Sequence, residues 1–387
     1  MCALLKRNIL EYEIVDVDCV VDNLVFAFLK GADNEEEEIA KFRGSILHGR
    51  VSAVGRHGKY FWIRVVPRGS KESVVLLMHF GMTGMVKMRD VYSHLTIMEN
   101  GGDKKVLAEL KEDVKDEKVK VKRETIEVNK EKAQMEMETM EVKGDKVIDE
   151  PWPPKFVKLS MTLRKNDSTI EWVFVDPRRL ARIRLLSGKG VQTDEELLKQ
   201  PPLDVLGPDY SKPITVPKEI GPYGDPDPDN HGRAILSIDE FNKLVLTKKK
   251  PIKSLLLEQK FFCGIGNWVA DEIIYHSRLH PEEVLSSKLT LQEEIDPVIQ
   301  KLYDSIIYVC KEAVRVEGNV REFPDDWLMI FRWGKGRKGP RPKTKDGYDV
   351  DYITVGGRTS CFVPKLQAPL KRSSSAESSG KKRIKRE

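Results

Sequence analysis

A glycine pair in front of a helical pattern is the feature of this sequence best suited to hold an anion. Gly264 and Gly266 precede Asn267, where a run of helix-forming residues begins. The first N–H groups of a helix have no partner within it, and the helix dipole attracts negative charge there. Asn267 can add a side-chain donor, and Lys248 and Lys253 lie shortly upstream. The pattern predicts a clamp for a nucleic-acid phosphate, with a purely structural glycine turn between two helices as the alternative.

Two further basic side chains stand where the chain turns. Lys59 ends the run Arg56-His57-Gly58-Lys59 at the start of a strand pattern, and Arg358 follows Gly356-Gly357 in the turn of an expected hairpin. Cations at such turns neutralise phosphates, and the forked donors of arginine fit a phosphate bidentately. A solvated loop lysine and an ordinary surface arginine are the alternatives for these two positions.

The elements that must position these residues divide the chain into a strand-rich part and a helical part. Strand patterns rich in β-branched and aromatic residues occupy residues 13–21, 60–66, 73–78, 158–163, 170–175 and 181–186. Short strands separated by turn signals predict a β-sandwich. Residues 237–316 are helical in pattern, and Ser237 to Glu240 opens this stretch like a helix cap. The expected fold class is therefore α+β.

Composition marks the domain boundaries. The stretch 99–150 is highly charged and has no aromatic residue, so it cannot bury a core and is expected to be a disordered insertion. Proline and glycine are dense before the helical part, which indicates a linker. We assign the chain to an N-terminal sandwich containing that insertion, a linker, a helical domain, a finger with a β-hairpin and a disordered basic tail, at residues 1–195, 196–235, 236–325, 326–366 and 367–387.

The overall charge is only mildly basic. The chain of 387 residues has 66 Lys and Arg against 61 Asp and Glu, a net charge of +5, so its basic character is local, as in a DNA groove. The five cysteines form no C-x-x-C pair, which excludes a four-cysteine zinc site and gives no disulfide framework. No run of about 20 apolar residues and no secretory signal is present. We expect a monomer without metal, cofactor or membrane contact, in a reducing compartment.

Five blocks of the sequence, in the same order, resemble the formamidopyrimidine-DNA glycosylase / endonuclease VIII family. They are residues 55–60, 78–84, 176–180, 253–272 and 354–360, and the fourth block resembles the family's helix–two-turns–helix element. The likeness is greatest to the fungal and plant branch, whose finger is zincless. The resemblance implies a two-layer β-sandwich, a helix–two-turns–helix DNA-binding domain and a zincless β-hairpin finger.

The resemblance also implies an activity. The family removes oxidised bases, of the formamidopyrimidine and 8-oxoguanine type, from double-stranded DNA by base-excision repair. The nucleotide is flipped out of the duplex, an amine attacks the sugar C1′ to form a Schiff base, and elimination then cuts the backbone as an AP lyase. By the resemblance Lys59 and Arg358 are the catalytic-site cations, Lys59 on phosphates beside the lesion and Arg358 on the phosphate next to it, where it assists elimination.

DNA-binding residues follow from the same comparison. Met78, Arg178 and Leu180 take the positions that fill the void left by the flipped nucleotide, with Arg179 in the same block. Leu180 is smaller than the aromatic residue that the family often carries there. Ordinary strand core is the alternative for Met78 and Leu180. The clamp residues Gly264, Gly266, Asn267, Lys248 and Lys253 complete the expected DNA-binding set.

The N-terminus departs from the family pattern. The family begins Met-Pro-Glu and uses the proline amine as nucleophile, whereas this chain begins Met1-Cys2-Ala3. Residues 3–10 resemble the end of the family's first helix, so about a dozen residues are missing, or on the order of 18 Å at 1.5 Å per residue. We therefore expect the chain as printed to lack the nucleophile and the acid, unless the natural start lies upstream.

Three functions stay open at this point. The first is an active glycosylase and AP lyase, and the second is an inactive protein that binds damaged DNA. A ribosome-associated or topoisomerase-like protein is the third, but the blocks at 178–180 and 356–359 argue against it. An in-frame Met-Pro-Glu upstream of Met1 would separate the first two. The basic run at 381–386 predicts a nuclear location.

Overall fold

The structure is a computed structural model of the chain. It describes residues 1–91, 93, 151–212, 233–332, 335 and 341–371. The charged insertion, residues 213–232 of the expected linker and residues 372–387 of the expected basic tail lie outside the described residues, so those expectations stay predictions. The start of the tail, expected to be disordered, is instead packed, because Gln367 is fully buried and donates to the Leu279 carbonyl at 2.9 Å.

The N-terminal part is an antiparallel β structure. Its strands are β1 Glu13–Cys19, β2 Arg50–His57, β3 Tyr60–Val66, β4 Val74–His79, β5 Met85–Met88, β6 Val157–Lys165, β7 Ser168–Val175 and β8 Arg182–Leu186. They pair in the order β5-β7-β6-β1-β2-β3-β4-β8. Among the described residues of this part, three α-helices accompany the strands: α1 Cys2–Ile9, α2 Glu35–Ile46 and α3 Asp194–Leu197.

The two halves of this strand order enclose one hydrophobic core, as the expected sandwich requires. β5, β7, β6 and β1 contribute residues such as Trp172, and β2, β3, β4 and β8 contribute residues such as Ile63, to the same buried cluster. Register shifts in β1 and β2 mark bulges where the strands can bend. The rings of Phe80 and Phe174, from opposite halves, lie 5.6 Å apart.

The C-terminal part is helical. It consists of α4 Ile238–Thr247, α5 Ile252–Leu256, α6 Asn267–Ser277 and α7 Pro297–Arg315. The capping box expected at Ser237 is present, because its side chain accepts from the Glu240 N–H and the Glu240 side chain accepts from the Ser237 N–H. One apolar cluster, separate from the sandwich core, holds the four helices together. The α+β fold class is thereby confirmed.

The described part of the expected linker is packed against both halves. Leu203 and Tyr210 are fully buried, and Asp209 is only 2% exposed. The Cys263 N–H donates to the Pro208 carbonyl at 3.0 Å, which joins this segment to the turn before α6. The density of proline and glycine carries no information about tertiary partners, so the sequence did not show this packing.

The finger is a two-stranded hairpin, β9 Asp351–Val355 and β10 Arg358–Phe362. It rests on its own apolar cluster, which includes Tyr275 of α6, Phe331, Val350 and Cys361. Within the described residues no group of three or more His, Cys, Asp or Glu side chains is placed to hold a metal ion. In the same part of the chain no helix is long and apolar enough to cross a membrane.

The described part of the finger packs through apolar side chains. We therefore expect the stability of the finger to be independent of zinc. The melting temperature and the DNA affinity should be unchanged by EDTA, and purified protein should contain well under one equivalent of zinc by mass spectrometry. A structural zinc site contributes folding energy directly and is lost with a chelator. Stoichiometric zinc, or unfolding of the finger by EDTA, would contradict this prediction.

Candidate nucleic-acid interface

A buried carboxylate joins the sandwich to the helical part. One oxygen of Asp209 accepts from Arg56 Nη1 at 2.5 Å and from the Gly58 N–H at 2.9 Å. Its other oxygen accepts from the Ser211 N–H at 2.9 Å and from Ser211 Oγ at 2.6 Å. Burial raises the pKa of Asp209, but the charges of Arg56 and Lys212 and the Ser211 hydrogen bond outweigh it and lower the pKa. Asp209 is therefore ionised, and it fixes the turn between β2 and β3.

That turn lies directly against the glycine turn before α6. A Cβ added to Gly58 would clash with Cys263 Sγ and lie 2.9 Å from the Gly264 backbone nitrogen. Gly58 and Gly264 both have positive φ, at +58° and +92°. Only glycine permits this approach without displacing the backbone, so the two glycine motifs of the sequence meet in space.

Lys59 consequently lies at the N-terminal end of α6. A Cβ on Gly266, the N-cap residue, would be 3.7 Å from Lys59 Cε and 3.9 Å from its Nζ. The cap residue provides no side-chain acceptor to the first turn of α6. An exposed ammonium group and a positive helix end thus converge on one place, which is the electrostatics that a phosphate requires.

The finger reaches the same end of α6. Asn267 Nδ2 donates to the Thr359 carbonyl at 3.0 Å. At the hairpin tip, a Cβ on Gly356 would lie 2.6 Å from Ser254 Oγ on α5. Arg358, exposed at the first position of β10, is adjacent to Thr359 in the chain. Lys59, the turn with Gly264, Gly266 and Asn267, and the hairpin that carries Arg358 are far apart in the sequence, and they meet at the N-terminal end of α6.

A second buried carboxylate shapes the turn that carries Arg178 and Leu180. Asp176 accepts from Thr83 Oγ1 at 2.9 Å, from the Arg178 N–H at 3.2 Å and from the Ala181 N–H at 2.7 Å. The turn is thereby fixed with Arg178 exposed and Leu180 39% exposed. Both side chains are accessible, as insertion into a duplex would require.

The placement of Met78 contradicts its expected role. Met78 is fully buried in β4, paired with Phe61 on one side and Ile183 on the other, and belongs to the sandwich core. It cannot enter a duplex without unpacking that core, so the wedge assignment was wrong. Met82, in the same block, is half-buried in the turn after β4, where a Cβ added to Gly81 would meet the Leu180 backbone. The turn that carries Met82 therefore lies against Leu180, and the sequence analysis did not single out this residue.

The structure also contradicts the phosphate role of Lys253. This side chain is fully buried, and its Nζ donates to the Asp271 carboxylate and to the Asn267 carbonyl. Asp271 accepts in addition from Arg332 Nη2 at 2.8 Å. Burial lowers the pKa of Lys253, and Asp271 opposes that shift. Lys253 holds the first turn of α6 in place and cannot reach a phosphate.

Other expected cations are engaged within the protein. Arg179 donates to the buried carboxylate of Asp22 at 2.9 and 3.0 Å. Burial raises the pKa of Asp22, but hydrogen bonds from Arg179 and Lys158 lower it to about 2. Lys248 lies over the Phe261 ring, with Nζ 5.2 Å from the centroid. Among the described residues, no contact of Arg179 or Lys248 places either cation at the N-terminal end of α6.

The basic run 56–59 contributes less charge than its composition indicates. His57 is fully buried, and its Nε2 donates to the Gly207 carbonyl at 2.8 Å. Burial lowers the pKa of His57 to about 4, so the ring is neutral near pH 7. Because Arg56 is paired with Asp209, Lys59 is the exposed cation of this run.

A cavity of about 260 Å³ lies beside the paired turns and is lined by Met1, Cys2, Gly58, Cys263 and Cys310, among others. Burial raises the pKa of the Cys263 thiol to about 12 and that of Cys310 further still. These two cysteines therefore stay protonated at neutral pH and are poor nucleophiles.

Comparison with known proteins agrees with both halves of the fold. Residues 1–183 match the family model described as the formamidopyrimidine-DNA glycosylase N-terminal domain, and residues 226–325 match the formamidopyrimidine-DNA glycosylase H2TH domain. The chain is 35% identical over 219 residues to a formamidopyrimidine-DNA glycosylase of Arabidopsis thaliana, a match that covers 56% of this chain and 45% of that protein. A protein of the same name from Desulfitobacterium hafniense is 30% identical over 202 residues, a match that covers 50% of this chain and 61% of that protein. The chain thus spans about half the length of these curated relatives.

Solved structures share the fold. A complex of Lactococcus lactis Fpg with DNA that contains an abasic site has a TM-score of 0.55 at 16% identity, over 94% of this chain and 95% of that one. A complex of the wild-type L. lactis protein with DNA containing an oxidised pyrimidine gives the same TM-score, identity and coverage. Two domain matches from one family, in the family's order and over most of the chain, lead to one assignment: the chain belongs to the formamidopyrimidine-DNA glycosylase family.

Proposed function

We propose that this chain is a DNA glycosylase of base-excision repair that acts on double-stranded DNA with oxidised bases or abasic sites. One observation carries the proposal: Lys59, the N-terminal end of α6 and the Arg358 hairpin converge on one face. Relatives named formamidopyrimidine-DNA glycosylase, and similar folds solved with abasic-site DNA, support the same substrate class.

The convergent face would hold the phosphates on either side of a flipped nucleotide. Lys59 and the α6 N–H groups provide positive charge from the two halves of the protein, and Arg358 adds a bidentate donor from the finger. Arg178 and Leu180 would occupy the space that the nucleotide leaves in the duplex. Binding of this kind uses the sandwich and the helical part together, which explains why Asp209 fixes their junction.

We also propose AP lyase activity for a form of the protein that begins Met-Pro-Glu as the family does, in which the proline amine attacks C1′ and a Schiff base then permits elimination; the chain as printed should not form the Schiff base. Lys59 has the role of a phosphate ligand here, and Arg358 binds the phosphate that flanks the eliminated bond. Borohydride trapping on abasic-site DNA tests the covalent step. A trapped complex that is lost in both Lys59→Ala and Lys59→Arg would show that Lys59 is the nucleophile instead.

Removal of either cation should weaken DNA binding with a characteristic salt dependence. Because a charge-assisted phosphate contact contributes about 1.5–3 kcal/mol, Lys59→Ala and Arg358→Ala should each reduce affinity about tenfold or more. Each should also reduce the slope of log K against log salt by about 0.9. Fluorescence anisotropy with an abasic-site duplex at several salt concentrations measures both quantities, and release of an oxidised base measures activity.

Lys41→Ala is the matched control, because Lys41 is an exposed lysine on α2 that is paired with Glu37 and Glu38. It should leave affinity and salt slope unchanged. An unchanged slope for both Lys59→Ala and Arg358→Ala would contradict the phosphate role of this face. DNA binding without release of any oxidised base would favour a protein that recognises damage and does not excise it.

A further inference from the structure

Phe156 is an exposed aromatic residue in an unusual backbone conformation. Its side chain is 59% exposed, and its φ is +65°. A bulky side chain rarely adopts positive φ, and residues held in this way cluster at functional sites. The sandwich core does not explain the residue, because Phe156 lies outside that cluster. Its surroundings are therefore informative.

Backbone and ionic contacts place Phe156 at the base of the turn that carries Arg178 and Leu180. The Asp176 N–H donates to the Phe156 carbonyl at 3.0 Å, and Val20 N–H donates to the Lys158 carbonyl at 3.0 Å. Asp22 accepts from Lys158 Nζ at 2.9 Å as well as from Arg179. Three loops are thereby tied together, and Phe156 is presented on a rigid base.

The surface formed by these loops exposes both apolar and charged side chains. Its exposed apolar side chains are Val20, Leu24, Phe156 and Leu180. Lys155 is exposed immediately before Phe156, and Arg178 is exposed two residues before Leu180, whereas the Asp22 carboxylate is buried and paired with Lys158 and Arg179. Exposed cations alternating with an aromatic ring and a leucine fit a nucleic acid better than an apolar protein partner, since phosphates and base faces are offered together.

We propose that Phe156 contacts DNA as a second base-binding side chain and stacks on an unpaired base beside the step that Leu180 opens. The bases of an intact duplex are already stacked on both faces, so only an unstacked base offers its face to an aromatic ring. The inference rests on the proposed function and extends it. It assigns recognition of the distorted strand to Phe156, which is separate from the phosphate site at Lys59 and the N-terminal end of α6.

Substitution of Phe156 should affect damaged and intact DNA differently. Stacking on one base is worth about 1–3 kcal/mol, so Phe156→Ala should lower the affinity for an abasic-site duplex about 5- to 150-fold. It should lower the affinity for the intact duplex less than about twofold. Phe156→Trp should retain binding, and its indole fluorescence should be quenched by the abasic-site duplex more than by the intact one. Val205→Ala, at an apolar residue that is 67% exposed, is the control and should change neither affinity.

The outcomes separate this inference from the proposed function. If Phe156→Ala binds both duplexes like the wild type while Lys59→Ala binds weakly, the inference is overturned and the proposed function stands. Equal losses for the two duplexes would also overturn it, since they indicate a general contact without selectivity. If the wild-type protein binds neither duplex, the proposed function itself fails. A melting temperature equal to that of the wild type verifies that Phe156→Ala is folded.

Discussion

Asp209→Asn should destabilise the protein by about 3–5 kcal/mol, because it removes the charge that compensates a largely buried arginine. Arg56 is 18% exposed and its partner carboxylate 3% exposed, so water cannot replace the lost charge. Asparagine keeps one acceptor oxygen where the carboxylate uses both, so either the Gly58 N–H or the Ser211 N–H loses its acceptor. Urea denaturation at neutral pH gives the free energy of unfolding. DNA affinity should also fall, because the turn that carries Lys59 is no longer held against Gly266.

Two comparisons show whether the effect comes from the ion pair. Ser211→Ala keeps the ion pair but removes the hydroxyl that donates to Asp209 and accepts from Arg56 Nη2, and it should cost about 1–2 kcal/mol. Arg56→Met added to Asp209→Asn should recover part of the lost stability, because the buried charge without a partner is then gone. If Asp209→Asn unfolds like Ser211→Ala and keeps full DNA affinity, the carboxylate does not fix the junction.

Lys253→Met should destabilise the protein by about 3–5 kcal/mol, nearly as much as Asp209→Asn. A loss of this size is expected for a buried lysine with a structural role and not for an exposed phosphate ligand. The methionine retains the aliphatic stem but leaves the Asp271 carboxylate, which is 1% exposed, with Arg332 as its remaining charged partner. The Asn267 carbonyl also loses its donor at the start of α6. Thermal unfolding should show a large drop in melting temperature.

Lys248→Met is the matched control for this substitution. Lys248 stacks on Phe261 near the surface, so its loss should change stability by no more than about 0.5 kcal/mol. At a temperature where Lys253→Met is folded, the slope of log K against log salt for its DNA binding should equal that of the wild type. A smaller slope together with an unchanged melting temperature would return Lys253 to the phosphate-binding set and contradict its burial.

Much of the fold could be predicted from local pattern. The strands of the sandwich alternate or are rich in β-branched residues, and the cap at Ser237 has the residue types that its hydrogen bonds require. The hairpin at Gly356-Gly357 was expected for the same reason, since its turn needs positive φ at both residues. These features depend on a few neighbouring residues, so the chain carries the information locally.

The side-chain roles were predicted less well. Met78 and Met82 stand four residues apart in one block, and only strand register shows that Met78 faces the core. Lys253 and Lys59 are both lysines near a glycine turn, yet one is buried against Asp271 and the other is exposed at Gly266. Spacing does not distinguish them, because burial is decided by elements far away in the chain.

The sequence by itself determined the residue types of an anion site: glycines that allow close backbone approach, a helix start, and a lysine and an arginine at turns. The tertiary structure decided which of them meet. Asp209, in a stretch that composition marks only as linker, draws Arg56 and the Gly58 turn onto Gly264, and Asn267 ties the finger to α6. The physical reason is that a buried charge must find its partners through space, so a contact between residues more than 150 positions apart has no local signal.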